Sequence, residues 1–374
     1  MAGLYLHIPF CKQACHYCDF HFSTNRDRMD ELVLAMVREM ELQRNYLGSE
    51  PLETIYFGGG TPSLLPLAQL SALIKAANDL FPVTASPEVT LEANPDDLTR
   101  EKIQGLVAAG INRLSIGIQS FNDTVLQLFN RAHNADQAEA CVAEARALGF
   151  GNISVDLIYG VPNQSLDALR QDLDRFIKLA PQHISAYALT IEEKTVFGHQ
   201  QKKGIFSALP ENETAEHFEL VMAHLASAGY EQYEISNFCT PGNYSKHNAS
   251  YWQQKKYLGI GPSAHSYNGQ SRQWNVANNH LYLRALSEGT VPFEREVLTP
   301  ANQINEYFFT TLRTRWGTDL HYLKEVFDFS PDRQKIETLQ QQSLIQVDNE
   351  RLTLTPKGKL LADKIALEFF IDEG

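Results

Sequence analysis

Along residues 1 to about 235 a short β-rich run, a turn and a helix-period segment follow one another six times. The runs are Leu4 to Pro9, Thr54 to Phe57, Glu88 to Ala93, Arg113 to Gln119, Ile153 to Tyr159 and His183 to Thr190. Between them apolar residues recur at helical spacing: Leu32, Met36 and Met40; Leu67, Leu70, Leu73, Ile74, Ala77 and Leu80; Leu166, Leu169, Leu173 and Phe176. Strands alternating with helices predict a parallel sheet, and right-handed crossovers either roll it into a partial barrel or leave it open. Periodicity does not choose between the two, but strand parity bears on it. A parallel strand covered on both faces reads as nearly continuous aliphatic sequence. Here Leu114, Ile116 and Ile118 alternate with Ser115, Gly117 and Gln119, Val89 and Leu91 with Thr90, Glu92 and Asn94, and Val155 and Leu157 with Ser154 and Asp156. In the first strand Tyr5 and His7 share the face opposite Leu4, Leu6 and Ile8. One polar face repeated over several strands predicts a wet, functional interior, because a carboxylate such as Glu92 or Asp156 is costly inside a fold unless a ligand or partner satisfies it.

The texture changes after residue 235. Pro241-Gly242-Asn243, Gly259 to Pro262 and Tyr267 to Gly269 read as loops around short strands, expected to lie over the barrel mouth. From about Thr299, helix-period segments at Tyr307 to Leu312 and Leu320 to Phe327 precede a strand at Arg351 to Thr355 and a helix at Gly358 to Phe370. The expected division is therefore 1–235 for the barrel, 236–298 for a connecting region and 299–374 for a small, mainly helical domain of winged-helix character.

Composition narrows the functional classes. The chain has 374 residues, enough for a large barrel and a smaller domain. With 32 basic and 45 acidic residues the formal charge is −13, and basic residues are no denser than Lys202-Lys203 and Lys255-Lys256. This argues against a nucleic-acid footprint or a polybasic membrane anchor. The five cysteines form no disulfide framework, no basic leader opens the sequence, and no apolar run approaches the ~18 residues of a membrane span. A cytoplasmic protein is expected.

Candidate chemistry begins at Cys11, Cys15 and Cys18. Three thiols within eight residues suit one compact soft metal centre. A structural zinc would require a fourth ligand, for which His16 and His21 are at hand; an iron–sulfur cluster would leave one iron open. Cys141 and Cys239 read as buried thiols. Gly58-Gly59-Gly60-Thr61-Pro62 allows close approach of backbone to a ligand, and the absence of a following Gly-Lys-Ser/Thr excludes a phosphate-cradling P-loop.

The runs Tyr5 to Cys18, Gly58 to Ser63, Glu92 to Pro95, Asn112 to Phe121, Asn130-Arg131 and Val155 to Pro162 together resemble the radical S-adenosylmethionine (SAM) family. The resembling branch contains the oxygen-independent coproporphyrinogen III oxidases and the HemW-type heme chaperones. The resemblance implies an α/β fold, a partial (β/α)6 TIM-type barrel. It also implies a [4Fe–4S] cluster on Cys11, Cys15 and Cys18, whose open iron takes the amino and carboxylate groups of SAM. Tyr5, Gly59, Gly60, Thr61, Glu92, Gln119, Arg131 and Asp156 fall at SAM-binding positions of the oxidase, with Tyr17 and Ile158 packing against the ligand.

Departures from the oxidase divide the branch. Phe20 stands where the oxidase has a further cysteine, and only ten residues precede Cys11 where the oxidase has a substantial segment. His247-Asn248-Ala-Ser-Tyr251-Trp252 matches the His-Asn-x-x-Tyr-Trp signature of the heme chaperones. The resemblance thus implies heme as a further ligand, with His247 on the iron, Cys239 as competing ligand, Tyr251 and Trp252 shielding a porphyrin face, and recipient apo-hemoproteins as partners, including at the inner face of the membrane. Read from the residues alone, the favoured role is different: Tyr251, Trp252 and Tyr257 close the open edge of the barrel, with His247 hydrogen-bonded at a turn. The competing function is the oxidase reaction, in which SAM is cleaved reductively and a porphyrinogen propionate is decarboxylated. A zinc-stabilised structural protein would leave the polar interior without a purpose.

Overall fold

The computed structural model describes residues 1–372. The strands that the alternation predicts are β1 (Ala2–Ile8), β2 (Leu52–Gly59), β3 (Val83–Ala93), β4 (Arg113–Gln119), β5 (Ile153–Tyr159) and β6 (His183–Ala188). They pair in parallel and in chain order. The intervening helices are α1 (Met29–Leu42), α2 (Leu67–Leu80), α3 (Arg100–Ala108), α4 (Asp123–Leu128), α5 (Ala135–Ala147) and α6 (Leu166–Lys178), followed after β6 by α7 (Val196–Lys202) and α8 (Glu211–Ser227). The apolar faces of α1, α2, α3, α5, α6 and α8 and the outward residues of the strands, among them Leu6, Phe57, Leu91, Ile116, Val155 and Ile184, form one buried core, while α4 and α7 pack in a smaller cluster through Val125 and Phe197. Thr99, Asn134 and Ser165 cap α3, α5 and α6 by accepting backbone N–H bonds, which is why each helix starts there.

Among the described residues β1 and β6 do not pair with each other, so the barrel is partial. Each takes another neighbour. On one side the hairpin β7 (Glu231–Glu234) and β8 (Asn237–Cys239) packs antiparallel on β6; on the other, β9 (Tyr257–Ile260) lies parallel to β1 and leads into β10 (His265–Tyr267), β11 (Ser271–Asn275) and β12 (Phe293–Val297). The result is one twelve-stranded sheet. A buried carboxylate fastens its extension: Glu39 of α1 accepts from the Gly261 N–H at 2.8 Å, the Asn275 amide at 2.7 Å, the Gln43 amide at 2.9 Å and the hydroxyl of Tyr282, in α10 (Asn279–Ser287), at 2.5 Å. Burial pushes this carboxyl up to about 7 against those four donors.

The expectation that residues 236–298 cover the barrel mouth is corrected here. Their one helix before the extension, α9 (Lys246–Trp252), lies at the N-terminal ends of β1–β3, under the barrel, and β9–β11 continue the sheet and its core rather than roofing it. The cause is long-range pairing: β9 joins β1 in parallel, so the chain must first return to the N-terminal end of the sheet, and α9 is part of that return.

From Pro300 the order is α11 (Pro300–Thr311), β13 (Thr318–Asp319), α12 (Leu320–Phe327), α13 (Arg333–Gln341), β14 (Ile345–Asp348) and β15 (Arg351–Leu354), the helix–strand–helix–helix–strand–strand order of a winged helix. It has its own core around Phe308, Leu323, Leu352 and Ile365. The expected single helix from Gly358 to Phe370 is two short ones, α14 (Pro356–Lys359) and α15 (Ala362–Leu367).

Candidate functional site

A cavity of about 640 Å³ opens at the C-terminal ends of the barrel strands, the end at which parallel barrels gather their loops. Cys11, Cys15 and Cys18 line it, on the loop that leaves β1. Backbone bonds fix that loop: Ser23 donates to the Pro9 carbonyl at 2.7 Å, Cys11 to Ser23 at 3.0 Å and His16 to Phe129 at 3.1 Å. Lys12, paired with Asp96 at 2.6 Å and with Asp97, ties it to the segment after β3. Burial pushes the Cys18 thiol up to about 11 and the Cys11 thiol above its usual range, a cost that a cationic centre offsets by binding thiolates.

The glycine run fits this loop. A Cβ on Gly60 would stand 2.8 Å from the Phe10 carbonyl and 3.0 Å from the Cys11 sulfur; one on Gly59, where φ is +109°, would meet the His7 ring at 2.7 Å. Thr61 donates its hydroxyl to the Cys11 sulfur at 3.5 Å. A single-ion zinc site is not assembled. His16 and His21 each have one ring nitrogen bonded elsewhere, to the Leu128 carbonyl at 2.8 Å and the Asn279 amide oxygen at 2.8 Å. Among the described residues no three His, Cys, Asp or Glu side chains surround one point closely enough for a single ion. A cluster, by contrast, offers a separate iron to each thiolate.

Glu92, Gln119, Asp156 and Ile158 line the same cavity, as do Gly59, Gly60, Thr61, Tyr17 and Arg131. Glu92 accepts from the Tyr56 hydroxyl at 2.8 Å and the Gly59 N–H at 3.2 Å. Burial nevertheless pushes its carboxyl up to about 7, and Asp156 up to about 6 against the lowering charge of Arg113. Both carboxylates are poised to ionise when a cation is presented to them. Arg131 donates to the Cys15 sulfur at 3.3 Å, the Asn94 side-chain oxygen at 2.6 Å and the Gly117 carbonyl at 2.6 Å, so a single guanidinium links the cysteine loop to β3 and β4. Gln119 sits at φ +72° where β4 ends, which turns its side chain into the cavity. Tyr17 meets Phe129 edge-on, with centroids 5.0 Å apart. Tyr5 is the exception among the expected residues: it lies on the inner face but deeper, stacked on Tyr56 with its hydroxyl 3.1 Å from the His7 Nδ1, and does not line the cavity.

Four contributors lie outside that expected set. Asn94 and Tyr56 orient Arg131 and Glu92, and Lys12 anchors the loop. The fourth, Arg113, is 1% exposed inside the barrel, and none of its three guanidinium nitrogens has a hydrogen-bond partner among the described residues. Asn94 and Arg113 stand inside the quoted motifs, and parity alone could have flagged Arg113, since it shares a face with Ser115 and Gln119.

His247 requires a correction. It is 1% exposed at the barrel floor, its Nδ1 2.7 Å from the Thr54 hydroxyl and its Nε2 2.8 Å from the Tyr251 hydroxyl. Its ring stacks on Tyr56 at 4.7 Å, and its backbone N–H donates to the Glu88 carboxylate at 3.1 Å. Burial holds the imidazole neutral, down to about 3, but both nitrogens are hydrogen-bonded inside the fold, so no lone pair is free for an iron in this arrangement. Tyr251 is hydrogen-bonded to His247 and meets Tyr257 edge-on, and Arg313 lies over one face of Trp252. The rival ligand Cys239 is fully buried in a separate cluster with Tyr233.

The radical SAM superfamily matches residues 5–176, and the HemN C-terminal domain matches residues 298–361. The chain is similar to the heme chaperone HemW of Bacillus subtilis (strain 168), with 37% identity over 371 residues that cover 98% of each chain. It is also similar to HemW of Lactococcus lactis subsp. lactis (strain IL1403), with 35% identity over 377 residues, covering 99% of this chain and 97% of that one. Among solved structures it resembles the coproporphyrinogen III oxidase HemN from Escherichia coli, a radical SAM enzyme, with a TM-score of 0.85 and 25% identity over 98% of this chain and 89% of that one.

Proposed function

The chain belongs to the HemW family of radical SAM proteins, and from that premise we propose that it binds heme and passes it to recipient apo-hemoproteins, some of them at the membrane. Radical SAM membership implies a [4Fe–4S] cluster and SAM. In this proposal Cys11, Cys15 and Cys18 hold the cluster, which when bound supplies the electron for reductive cleavage of SAM. Gly59, Gly60 and Thr61 present backbone to the ligand, and Glu92 and Asp156 meet its cationic and hydroxyl groups. Gln119 and Arg131 bound the other side of the cavity, and Tyr17 and Ile158 supply apolar packing. Arg131, already bonded to the Cys15 sulfur, keeps the cysteine loop aligned with this set.

The observation that carries the heme reading over the oxidase reading is Phe20. It is 71% exposed at the mouth of the cavity, beside Phe22, where the oxidases have a further cysteine. An exposed aromatic rim suits a flat apolar cargo that must leave again. Among the described residues no helix is long and apolar enough to cross a membrane, so meeting membrane-bound recipients would be peripheral. The test is to give the anaerobically reconstituted protein heme, and separately coproporphyrinogen III with SAM and a strong reductant. Near-stoichiometric heme binding without decarboxylation is expected; robust conversion to protoporphyrinogen IX would transfer the choice to the oxidase.

A further inference from the structure

A heme carrier needs an iron ligand, and the motif histidine is spent on its neighbours. Of the twelve histidines, His7, His183 and His247 are buried with both ring nitrogens hydrogen-bonded. Seven more are buried or hold a carbonyl, amide, carboxylate or guanidinium partner. Among the described residues His199 and His265 are exposed with neither ring nitrogen engaged. His199 sits on α7 with no ring against it. His265 stacks on Trp274, with centroids 6.2 Å apart and planes 27° from parallel.

The setting of His265 is built rather than incidental. It pairs directly across β10 and β11 with Trp274, so both side chains project from one face. That face is continuous with the inner face of the barrel: Tyr267 pairs with Tyr257, and Tyr257 with Gly3, two residues before Tyr5. The strand is held by the Ser266 hydroxyl, which accepts from the Gly259 N–H at 2.9 Å, and by the Glu39 network behind β9 and β11. On the same face His7 stacks on His21 at 6.1 Å, and Phe22 follows at the cavity mouth. Partial burial and the nearby charge of Arg272 lower the pKa of the His265 imidazole and favour the neutral, ligating form.

Resting on the heme-binding reading above, we propose that the heme iron is ligated by His265, with the porphyrin lying against Trp274 on the open extension of the sheet. An imidazole nitrogen gives its lone pair to the iron and displaces a solvent ligand, and no electron changes hands. A site at an exposed side chain releases its cargo without opening the core, which a ligand at His247 could not do.

The test is a heme titration of the untagged, cluster-reconstituted protein, read by the Soret band and by electron paramagnetic resonance. His265→Ala should weaken heme binding by roughly tenfold or more and remove the imidazole-ligated signal. Free imidazole should restore that signal. Trp274→Leu should weaken binding while keeping the signal, and His199→Ala should change neither. An unchanged spectrum and affinity in His265→Ala overturns the assignment while the chaperone reading stands. So does a loss confined to a folded, cluster-bearing His247→Ala. If the unmodified protein takes up no heme, the heme-binding reading fails and this assignment falls with it.

Discussion

At the C-terminal ends of β1–β6 the inward side chains meet open space, and at the N-terminal ends they meet α9 under β1–β3 and Tyr233 of β7 beside β5 and β6. Both ends use one strand face, alternate residues of the same six strands, and both are polar. At the mouth, Glu92, Asp156, Gln119 and Arg131 line a cavity, and burial raises the two carboxyls. At the floor, Thr54, Glu88 and His183 are closed off, with His247 bonded to Thr54 and Tyr251, and His183 to Ser154 and Tyr233. Polar groups on a strand face therefore do not by themselves mark a ligand site. What separates the two ends is whether the polar atoms satisfy one another or await something else. Arg113 lies between them, buried and without a hydrogen-bond partner among the described residues, on the waiting side of that division.

The largest effect separating the ends should come from the cysteines. Replacing Cys11, Cys15 or Cys18 by Ser should abolish the iron and sulfide content of the reconstituted protein, while His247→Ala should leave that content intact when measured on folded material. Iron retained in all three cysteine variants would move the metal centre away from the mouth.

Stability should divide the ends the other way. His247→Ala deletes a buried ring and strands the Thr54 and Tyr251 hydroxyls, so unfolding by urea should show a loss of about 2 to 4 kcal/mol. Glu92→Gln should cost nothing at pH 8 without SAM and can stabilise. Its pKa is raised on folding, so the stability it contributes is full below about 4.5 and is lost as pH rises through about 7. The His247 pKa is lowered, so the stability it contributes is present above 6.5 and drains as pH falls toward about 3. Urea midpoints at pH 5 and 8 that move alike in both variants would erase the distinction.

SAM binding sharpens it at the mouth. Glu92→Gln or Asp156→Asn should weaken SAM by about 1 to 3 kcal/mol in a calorimetric titration, the range for losing a hydrogen bond to a charged group. The unaltered protein should bind SAM more weakly as pH drops below about 7, because the ligand must first remove the Glu92 proton, and Glu92→Gln should flatten that dependence. The smallest effect belongs to the floor. Thr54→Val removes one partner of His247 and should cost roughly 1 kcal/mol in the same urea assay, with SAM affinity unmoved.

Much of this was legible before any coordinates, because it depends on neighbours in the chain. The alternation of aliphatic and polar residues in 88–93, 113–119 and 153–159 put Glu92, Gln119 and Asp156 on one face, and helical spacing located α1, α2 and α6. The interval between Cys11, Cys15 and Cys18 placed three thiols on one short loop. Arg131 could be proposed only by likeness, since no periodicity relates it to a strand whose carbonyl it binds 14 residues earlier. His247 was misplaced for a similar reason. Its motif carries a ligand type and two aromatic residues, but not the information that β9 would pair with β1 and draw α9 beneath the sheet, where Thr54, 193 residues away in sequence, waits for its imidazole. His265 went unremarked because an exposed histidine in a three-residue strand has no local signature, and Trp274 reaches it only across the hairpin. The chain pattern by itself determined which residues alternate, which faces are polar and which thiols can converge. Which end of that polar face is open and which is plugged was decided only by tertiary pairing, because a hydrogen-bond donor is satisfied or left waiting according to what the rest of the chain brings within about 3 Å of it.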